Sequence, residues 1–326
     1  MKSLHYLLSS SALLAATLTP SFAQTATTKP VGYRTETLAN GFNLLAADLA
    51  EKIEAAGTLD AGTAGATAVD NDVDFTSLGT ADLLLKITNG ADAGVLYQAN
   101  QSGQHSLTVA NPSGALVVGA TYELRKSHTV SSLFGATNSA GLTAGGDETT
   151  ADSIYVPSGP GAFDIIFYSD GSGFIPVGWH DVNGLDQANR EIPYTTAFFI
   201  RNTGASQDVV FVGHVITTST KVTVTQNFNY VSRVLPVGMT LDVSNLKDDL
   251  AQGGDETTAD NVYIPTGPGA YRICFYSDGT GFLPVGWHDV NGALAGTQVL
   301  TSGFLIRRIS ATAQSVDLII PPGLDI

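Results

Sequence analysis

An internal repeat of forty residues constrains this chain more than any other feature of its sequence. The segment Gly145–Gly184 returns 108 residues later as Gly253–Gly292, and 31 of the 40 aligned positions are identical. Recurrence at a fixed period is the sequence signature of repeat architectures. We therefore expect at least two copies of one fold in tandem.

Within each copy, short runs rich in β-branched and aromatic residues alternate with turn sequences. The first copy contains such runs at Ser153–Val156, Ala162–Tyr168 and Phe174–Trp179. An Asp-Gly pair follows the second run, and tight hairpins hold this glycine at positive φ, so we expect positive φ at Gly171 and Gly279. Many short strands at this spacing predict an all-β fold of tandem antiparallel β-sandwich or barrel-like repeat units with little helix.

The first residues of the chain indicate export. Lys2 precedes an apolar run that ends near Leu18, and a small-residue site follows at Ser21–Ala23. This order is that of a secretory signal peptide, and the run is shorter than the roughly 20 apolar residues that span a bilayer. We expect cleavage after Ala23 and an exported protein, whether periplasmic, at the cell surface or secreted, with no transmembrane segment.

The remaining sequence divides around the repeat. We predict a signal peptide at 1–23, an N-terminal β unit at 24–137, a first strong repeat unit at 138–220 and a second at 221–326. The N-terminal unit has the features of a diverged third copy, because Thr121–Arg125 is similar to Ala197–Arg201. It also contains the best predicted helix, Asp48–Ala56, in which apolar residues recur at helical spacing.

The expected mature chain is strongly acidic. Removal of residues 1–23 takes away one base and no acid, so 14 basic and 30 acidic residues remain and the net charge is −16. A surface of this sign repels phosphate backbones, which argues against nucleic acid as a partner. The single cysteine, Cys274, aligns with Ile166 of the first copy, so we expect a buried thiol rather than a nucleophile or a metal ligand.

Several short motifs, in order along the chain, resemble those of a known group of proteins. They include Pro-Val-Gly-Tyr at Pro30–Tyr33, Gly-Phe-Asn-Leu-Leu at Gly41–Leu45, Gly-Trp at Gly178 and Gly-Phe-Leu-Ile-Arg-Arg at Gly303–Arg308. Together they resemble a group of uncharacterised exported β-repeat proteins of verrucomicrobia-type bacteria. The resemblance covers nearly all of the mature chain. It implies export and a β fold, and it assigns no catalytic residue.

The sequence Gly-Trp-His-Asp occurs in both copies and leads into an Asp-Val-Asn-Gly turn. A His beside an Asp suggests a hydrolase triad, but successive residues of a strand point to opposite faces and no nucleophile motif accompanies the pair. We therefore favour a Trp packed on the core and a polar His-Asp pair entering a turn. As a candidate binding surface the block comprises Trp179, His180, Asp181 and Asn183, with Trp287, His288, Asp289 and Asn291 in the second copy.

The loop Gly-Gly-Asp-Glu-Thr-Thr-Ala-Asp carries three carboxylates in each copy. Carboxylate and backbone oxygens are the ligands of Ca²⁺, although the spacing is not that of an EF-hand. The alternative is local capping, in which Asp and Thr side chains bond the backbone of a tight turn. The candidate calcium ligands are Asp147, Glu148 and Asp152, with Asp255, Glu256 and Asp260 in the second copy.

The presence of two equal copies bears on function. It suits a repetitive binding or lattice-forming surface better than catalysis, which usually needs one complete site. The sequence favours an exported, non-catalytic β-repeat protein with a structural or adhesive role at or outside the bacterial surface, whose partners are itself or cell-surface glycans. The alternative is a glycan- or calcium-dependent binding module, and a hydrolase using a Trp-His-Asp site is the third hypothesis.

Overall fold

A computed structural model describes residues 30–79, 83–110, 116–235 and 238–318. Antiparallel strands form almost all of the regular structure, which confirms the predicted all-β class. The helices of the described part are a 3-10 turn at Phe75–Leu78, α1 at Val130–Phe134 and α2 at Leu246–Asp249. Over these same ranges, no helix has the length and hydrophobicity needed to cross a membrane. The predicted signal peptide lies outside the described residues.

The strands are numbered in chain order. They are β1 (Val31–Leu38), β2 (Gly41–Leu45), β3 (Ile53–Thr58), β4 (Thr67–Val69), β5 (Leu83–Ile87), β6 (Leu96–Gly103), β7 (Ser106–Val109), β8 (Thr121–Lys126), β9 (His128–Thr129), β10 (Ser153–Gly159), β11 (Ala162–Ser169), β12 (Gly178–Asp181), β13 (Glu191–Ile192), β14 (Phe198–Asn202), β15 (Gln207–His214), β16 (Thr220–Val224), β17 (Asn227–Ser232), β18 (Met239–Thr240), β19 (Asn261–Gly267), β20 (Ala270–Ser277), β21 (Gly286–Asp289), β22 (Val299–Leu300), β23 (Gly303–Arg308) and β24 (Gln314–Leu318).

Two five-stranded antiparallel sheets contain the repeat. The first has the order β12-β11-β10-β14-β2 and the second the order β21-β20-β19-β23-β17, so each strand of one sheet has a counterpart at the same place in the other. The two-stranded sheets correspond in the same way, β1-β15 to β16-β24 and β9-β13 to β18-β22. The first unit therefore consists of β1, β2 and β9 to β15, and the second unit of β16 to β24.

The strands β3 to β8 form a further sheet that interrupts the first unit between β2 and β9. Its order is β3-β8-β5-β6-β7-β4, and we call it the inserted sheet. Asn43 marks the equivalence of the flanking strands, because its side chain accepts from Ala39 N–H at 3.0 Å just as Asn229 accepts from Thr225 N–H at 2.8 Å. The strand pairing thus groups residues 31–45 with the first unit and not with the predicted unit 24–137.

The predicted helix at Asp48–Ala56 is wrong. Residues Ile53–Thr58 form β3 and pair with β8, with a bulge between Ile53 and Ala55. Isolated helices shorter than about 12 residues are marginal in water, whereas pairing with β8 gives the same backbone long-range hydrogen-bond partners. Asp48 is instead fully buried, and its carboxylate pairs with Arg34 of the first unit and Arg233 of the second.

Each unit has its own hydrophobic core on one face of its five-stranded sheet. Ile154, Trp179 and Phe198 are buried in the first core, and Trp287 occupies the same place in the second. Cys274 is buried in the second core, as predicted from its alignment with Ile166, and this burial raises the pKa of the thiol to about 11.

The other faces of the two sheets pack on each other through aromatic rings. Phe163 and Phe199 of the first sheet lie 5.1 and 5.8 Å, between ring centroids, from Tyr230 of the second. Edge-to-face aromatic pairs contribute about 0.5–1.5 kcal/mol beyond the area they bury. The strands β12 and β21 lie at the outer ends of the two sheets and are flanked by the loops 170–177 and 278–285.

Candidate functional site

Three loops of the first unit line one depression of about 550 Å³. They are the acidic loop 145–152, the hairpin loop 170–177 between β11 and β12, and the turn 182–185 after β12. We call this group the first three-loop surface, and its equivalent at 253–260, 278–285 and 290–293 the second three-loop surface. The residues around the depression include Asp147, Glu148, Phe174, Ile175, Val182 and Asn183.

The acidic loop and the hairpin loop touch through their backbones. Gly145 N–H donates to Tyr168 O, and Asp170 N–H donates to Gly145 O, both at 3.2 Å. A Cβ added to Gly173 would lie 2.5 Å from Gly146 O, and the distance at the equivalent position of the second copy is 2.3 Å. No side-chain carbon fits at that distance, so this contact requires glycine in both copies.

The hairpin loop presents a phenylalanine to solvent. Gly171 and Gly279 have φ of 80° and 82°, which confirms the predicted positive φ. The strand after this loop begins at Gly178 and not at Phe174 as predicted, because Pro176 has no N–H to give to a ladder. Phe174 is consequently 108% exposed, and its counterpart Phe282 has the same value.

Aliphatic residues surround each exposed ring. Val177 and Val285 are each 64% exposed, and Val182 and Val290 are 45% and 41% exposed. The exposed phenylalanine and the two exposed valines of each three-loop surface therefore match between the copies, whereas Ile175 is replaced by Leu283 and Leu185 by Ala293. The sequence predicts a strand that begins at Phe174, so it does not identify Phe174 or Phe282 as exposed loop residues. The Gly-rich stretch and the following proline were the available signal.

The two tryptophans of the candidate surface lie in the cores. Trp179 is 1% exposed and its Nε1–H donates to Gly135 O at 2.8 Å, and Trp287 is 2% exposed. Neither ring is available to a ligand. Their role is to anchor β12 and β21, which position the loops on either side.

The His and Asp side chains of the same motif hold their own turns. His180 Nδ1 lies 3.2 Å from Gly184 O, and Asp181 Oδ1 accepts from the N–H groups of Asn183 and Leu185, both at 2.9 Å. In the second copy His288 also bridges two loops, with Nδ1 at 3.3 Å from Gly292 O and Nε2 at 3.0 Å from Pro284 O, and Asp289 Oδ1 caps the turn through Asn291 N–H. Each imidazole thus ties a turn to the backbone.

Asp147 caps the acidic loop. Its Oδ1 accepts from the hydroxyls of Thr149 and Thr150 at 2.7 and 2.9 Å, and from their backbone N–H groups at 3.0 and 2.9 Å. These bonds, chiefly that from the Thr149 hydroxyl, lower the pKa of Asp147 to about 2. Asp255 makes the same set of bonds and its pKa is lowered for the same reason.

The third carboxylate of each acidic loop points into the protein. Asp152 is fully buried and accepts from Thr203 N–H at 2.7 Å and Gln207 Nε2 at 2.7 Å, and Asp260 pairs with Arg308 Nε at 3.1 Å. The structure therefore does not gather Asp147, Glu148 and Asp152, or Asp255, Glu256 and Asp260, into one ligand set. Across the described ranges, no group of three or more His, Cys, Asp or Glu side chains is placed to hold a metal ion.

No protein-family model matches this chain, and neither the curated proteins nor the solved structures contain a significant match.

Proposed function

We propose that this chain is an exported, non-catalytic adhesive protein that binds an extracellular ligand through its two three-loop surfaces. The observation that carries the proposal is the matched apolar exposure of the copies, with Phe174 and Phe282 each at 108% and Val177 and Val285 each at 64%. Exposed apolar patches bordered by polar groups mark interaction sites more often than scattered single residues do.

The energetics of these side chains suit a binding role. Burial of one phenylalanine side chain stabilises a complex by about 1.5–3 kcal/mol, and aromatic residues are enriched among the side chains that dominate interfaces. Two equal surfaces on one chain multiply this effect, since the second contact forms within an existing complex. His180 and Asp181 use their side chains to hydrogen-bond the backbone of the turn that follows them. This structural use of both side chains supports a non-catalytic role.

A glycan is the second candidate class of function, as the ligand of a binding module. Its support is the depression in which Asp147, Glu148 and Asn183 lie around Phe174. Carboxylate and amide groups hydrogen-bond sugar hydroxyls, and an aromatic face packs against the apolar side of a sugar ring. Ligand sites commonly combine an apolar wall with a few polar groups in this way.

The proposal is tested by adhesion under flow. Beads coated with the mature chain are passed over cells of the bacterium that produces it, and separately over surfaces coated with that bacterium's polysaccharides. We expect retention of the wild type, loss of about tenfold or more in Phe174→Ser or Phe282→Ser, and background retention in the double variant, because bivalent binding is lost stepwise.

A matched control keeps this test specific. Val243 is 43% exposed in the second unit and lies outside both three-loop surfaces, so Val243→Ser should leave retention unchanged. Retention of the double Phe variant at the wild-type level would overturn the proposal. Retention on the polysaccharide surface alone, abolished by the same double variant, would identify the glycan form.

A further inference from the structure

The strand β1 has one free edge along its whole length. It pairs with β15 in unbroken register from Val31 to Leu38, and with no other strand of the described residues. Val215 N–H donates to Pro30 O at 2.9 Å, so the even-numbered residues of β1 direct their backbone groups to β15. The N–H and C=O groups of Val31, Tyr33, Thr35 and Thr37 therefore point away from it, and no backbone hydrogen bond of the described part engages them.

The face beside this edge is apolar and exposed. Val31 and Tyr33 are 64% and 77% exposed, and Val210 and Val212 of β15 are 49% and 61% exposed. Asp208 is the one charged residue among the side chains that β1 and β15 present on this face. The whole chain has a net charge of −15, so two copies repel each other over most of their surfaces. Because this face carries one charged residue, two copies approach each other there with little repulsion.

The second unit shows how the equivalent edge is used within the chain. Val224 ends β16 as Leu38 ends β1, and each pairs with a glutamine at the start of its partner strand. Lys221 and Thr35 each lie three residues before that end, so Lys221 corresponds to Thr35. The outward N–H of Lys221 donates to Gly94 O at 2.8 Å, and Val95 of the inserted sheet forms a parallel bridge to it. The inserted sheet thus covers the edge in the second unit, and the edge of the first unit has no such cover.

Natural proteins protect open edges with short strands, lysine, proline, bulges or inward-pointing charges. Strand β1 has eight residues and no lysine, proline or bulge, and its two inward-facing charges, Arg34 and Glu36, pair with each other. We propose that β1 pairs with β1 of a second copy, antiparallel and about a two-fold axis at Thr35, so that two β1-β15 pairs form one four-stranded sheet. This axis sets Arg34 of each copy opposite Glu36 of the other. An axis at Arg34 would set the two arginines opposite each other, which is unfavourable.

The register is tested by engineered crosslinks. At the two-fold axis the two Thr35 Cα atoms would be about 5.5 Å apart, as in a hydrogen-bonded antiparallel pair, which is within the range of a disulfide. Thr35→Cys should therefore form a covalent dimer under mild oxidation. Thr37→Cys, which would face Tyr33 of the second copy, should not, and Cys274 is buried and does not compete.

The interface itself is tested by mass. Light scattering of the mature protein should give twice the chain mass. Thr35→Lys, which copies the lysine of the second unit and sets like charges across the axis, should give the single mass with an unchanged circular dichroism spectrum. Val243→Lys is the control and should remain dimeric. A wild type that is monomeric, a dimer that survives Thr35→Lys, or an absent Thr35→Cys crosslink would each overturn the proposal.

Discussion

Asp152 in the first unit and Asp260 in the second occupy the same position and are both buried, but their charges are balanced differently. Asp152 accepts from neutral donors, among them Thr203 N–H and Gln207 Nε2, whereas Asp260 pairs with the guanidinium of Arg308. A second difference is the ion pair on the sheet, which joins Asp164 to Arg190 in one unit and Arg272 to Asp289 in the other.

The two units diverge at these side-chain pairs and agree where loop backbones touch. Gly146 and Gly173 are retained because their backbones meet at a distance that excludes a Cβ. Asp147 and its two threonines are retained with a complete set of capping bonds. Part of the repeat identity is therefore explained by packing between loops. The matched exposure of Phe174 and Phe282 is not explained by packing, and the proposal of a shared ligand rests on it.

The largest effect should come from the buried carboxylates. Asp260→Asn leaves the guanidinium of Arg308, which is 5% exposed, without its counter-charge. Breaking a buried pair in this way costs about 3–5 kcal/mol. Asp152→Asn removes no counter-charge and leaves hydrogen-bond donors poorly matched, at a cost of about 1–3 kcal/mol. Urea denaturation of both variants measures the difference, and equal losses would contradict the contrast between the units.

The glycine contact should behave identically in the two units. Gly173→Ala and Gly281→Ala each force a Cβ against the carbonyl oxygen of the acidic loop, and overpacking of this kind typically costs about 1–3 kcal/mol. Gly267→Ala is the matched control, because its Cβ would meet nothing within 4 Å. A melting temperature that falls in only one of the two variants would show that the loops are not equivalent.

The ion pair between the partly exposed Arg272 and the buried Asp289 should make a modest contribution to stability. Arg272 lies 2.9 Å from Asp289 and its side chain is 37% exposed, so Arg272→Ala should cost about 0.2–1 kcal/mol. The hydrogen bond from Arg272 is the main cause of the lowered pKa of Asp289. Nuclear magnetic resonance titration should therefore show the pKa of Asp289 rising in this variant, and an unmoved pKa would rule out the pairing.

The smallest effect concerns pH and the acidic loops. A folded-state pKa of about 2 at Asp147 means that its ionised form is favoured by folding. This contribution is present above the ordinary pKa of about 4 and is lost as the pH falls through the folded value. Asp147→Asn should therefore lower the melting temperature slightly at pH 7 and by less at pH 2. A difference from wild type that is as large at pH 2 as at pH 7 would assign the effect to the amide itself.

The sequence predicted what depends on neighbouring residues. The strands β10 and β11, the positive φ of Gly171 and the burial of Cys274 all follow from local patterns or from alignment of the copies. The His-Asp pair also enters a turn as its spacing suggested.

What could not be predicted depends on distant contacts. Leu38 pairs with Gln207, although the inserted sheet separates the two residues in the sequence. This pairing places β1 in the first unit. Ile53 lies in a strand because β8 is beside it, against its helical spacing. Asp152 and Asp260 belonged to a predicted ligand set, but their donors come from residues about fifty positions further along the chain.

The two three-loop surfaces should act as equivalent binding surfaces, and one measurement tests this directly. The dissociation constants of the Phe174→Ser and Phe282→Ser variants are measured on the surface that retains the wild type. Each variant keeps one intact surface per chain, so the two dissociation constants should agree within about twofold, and both should exceed the wild-type constant. If one variant keeps the wild-type affinity while the other loses binding altogether, only one surface binds and the account is contradicted.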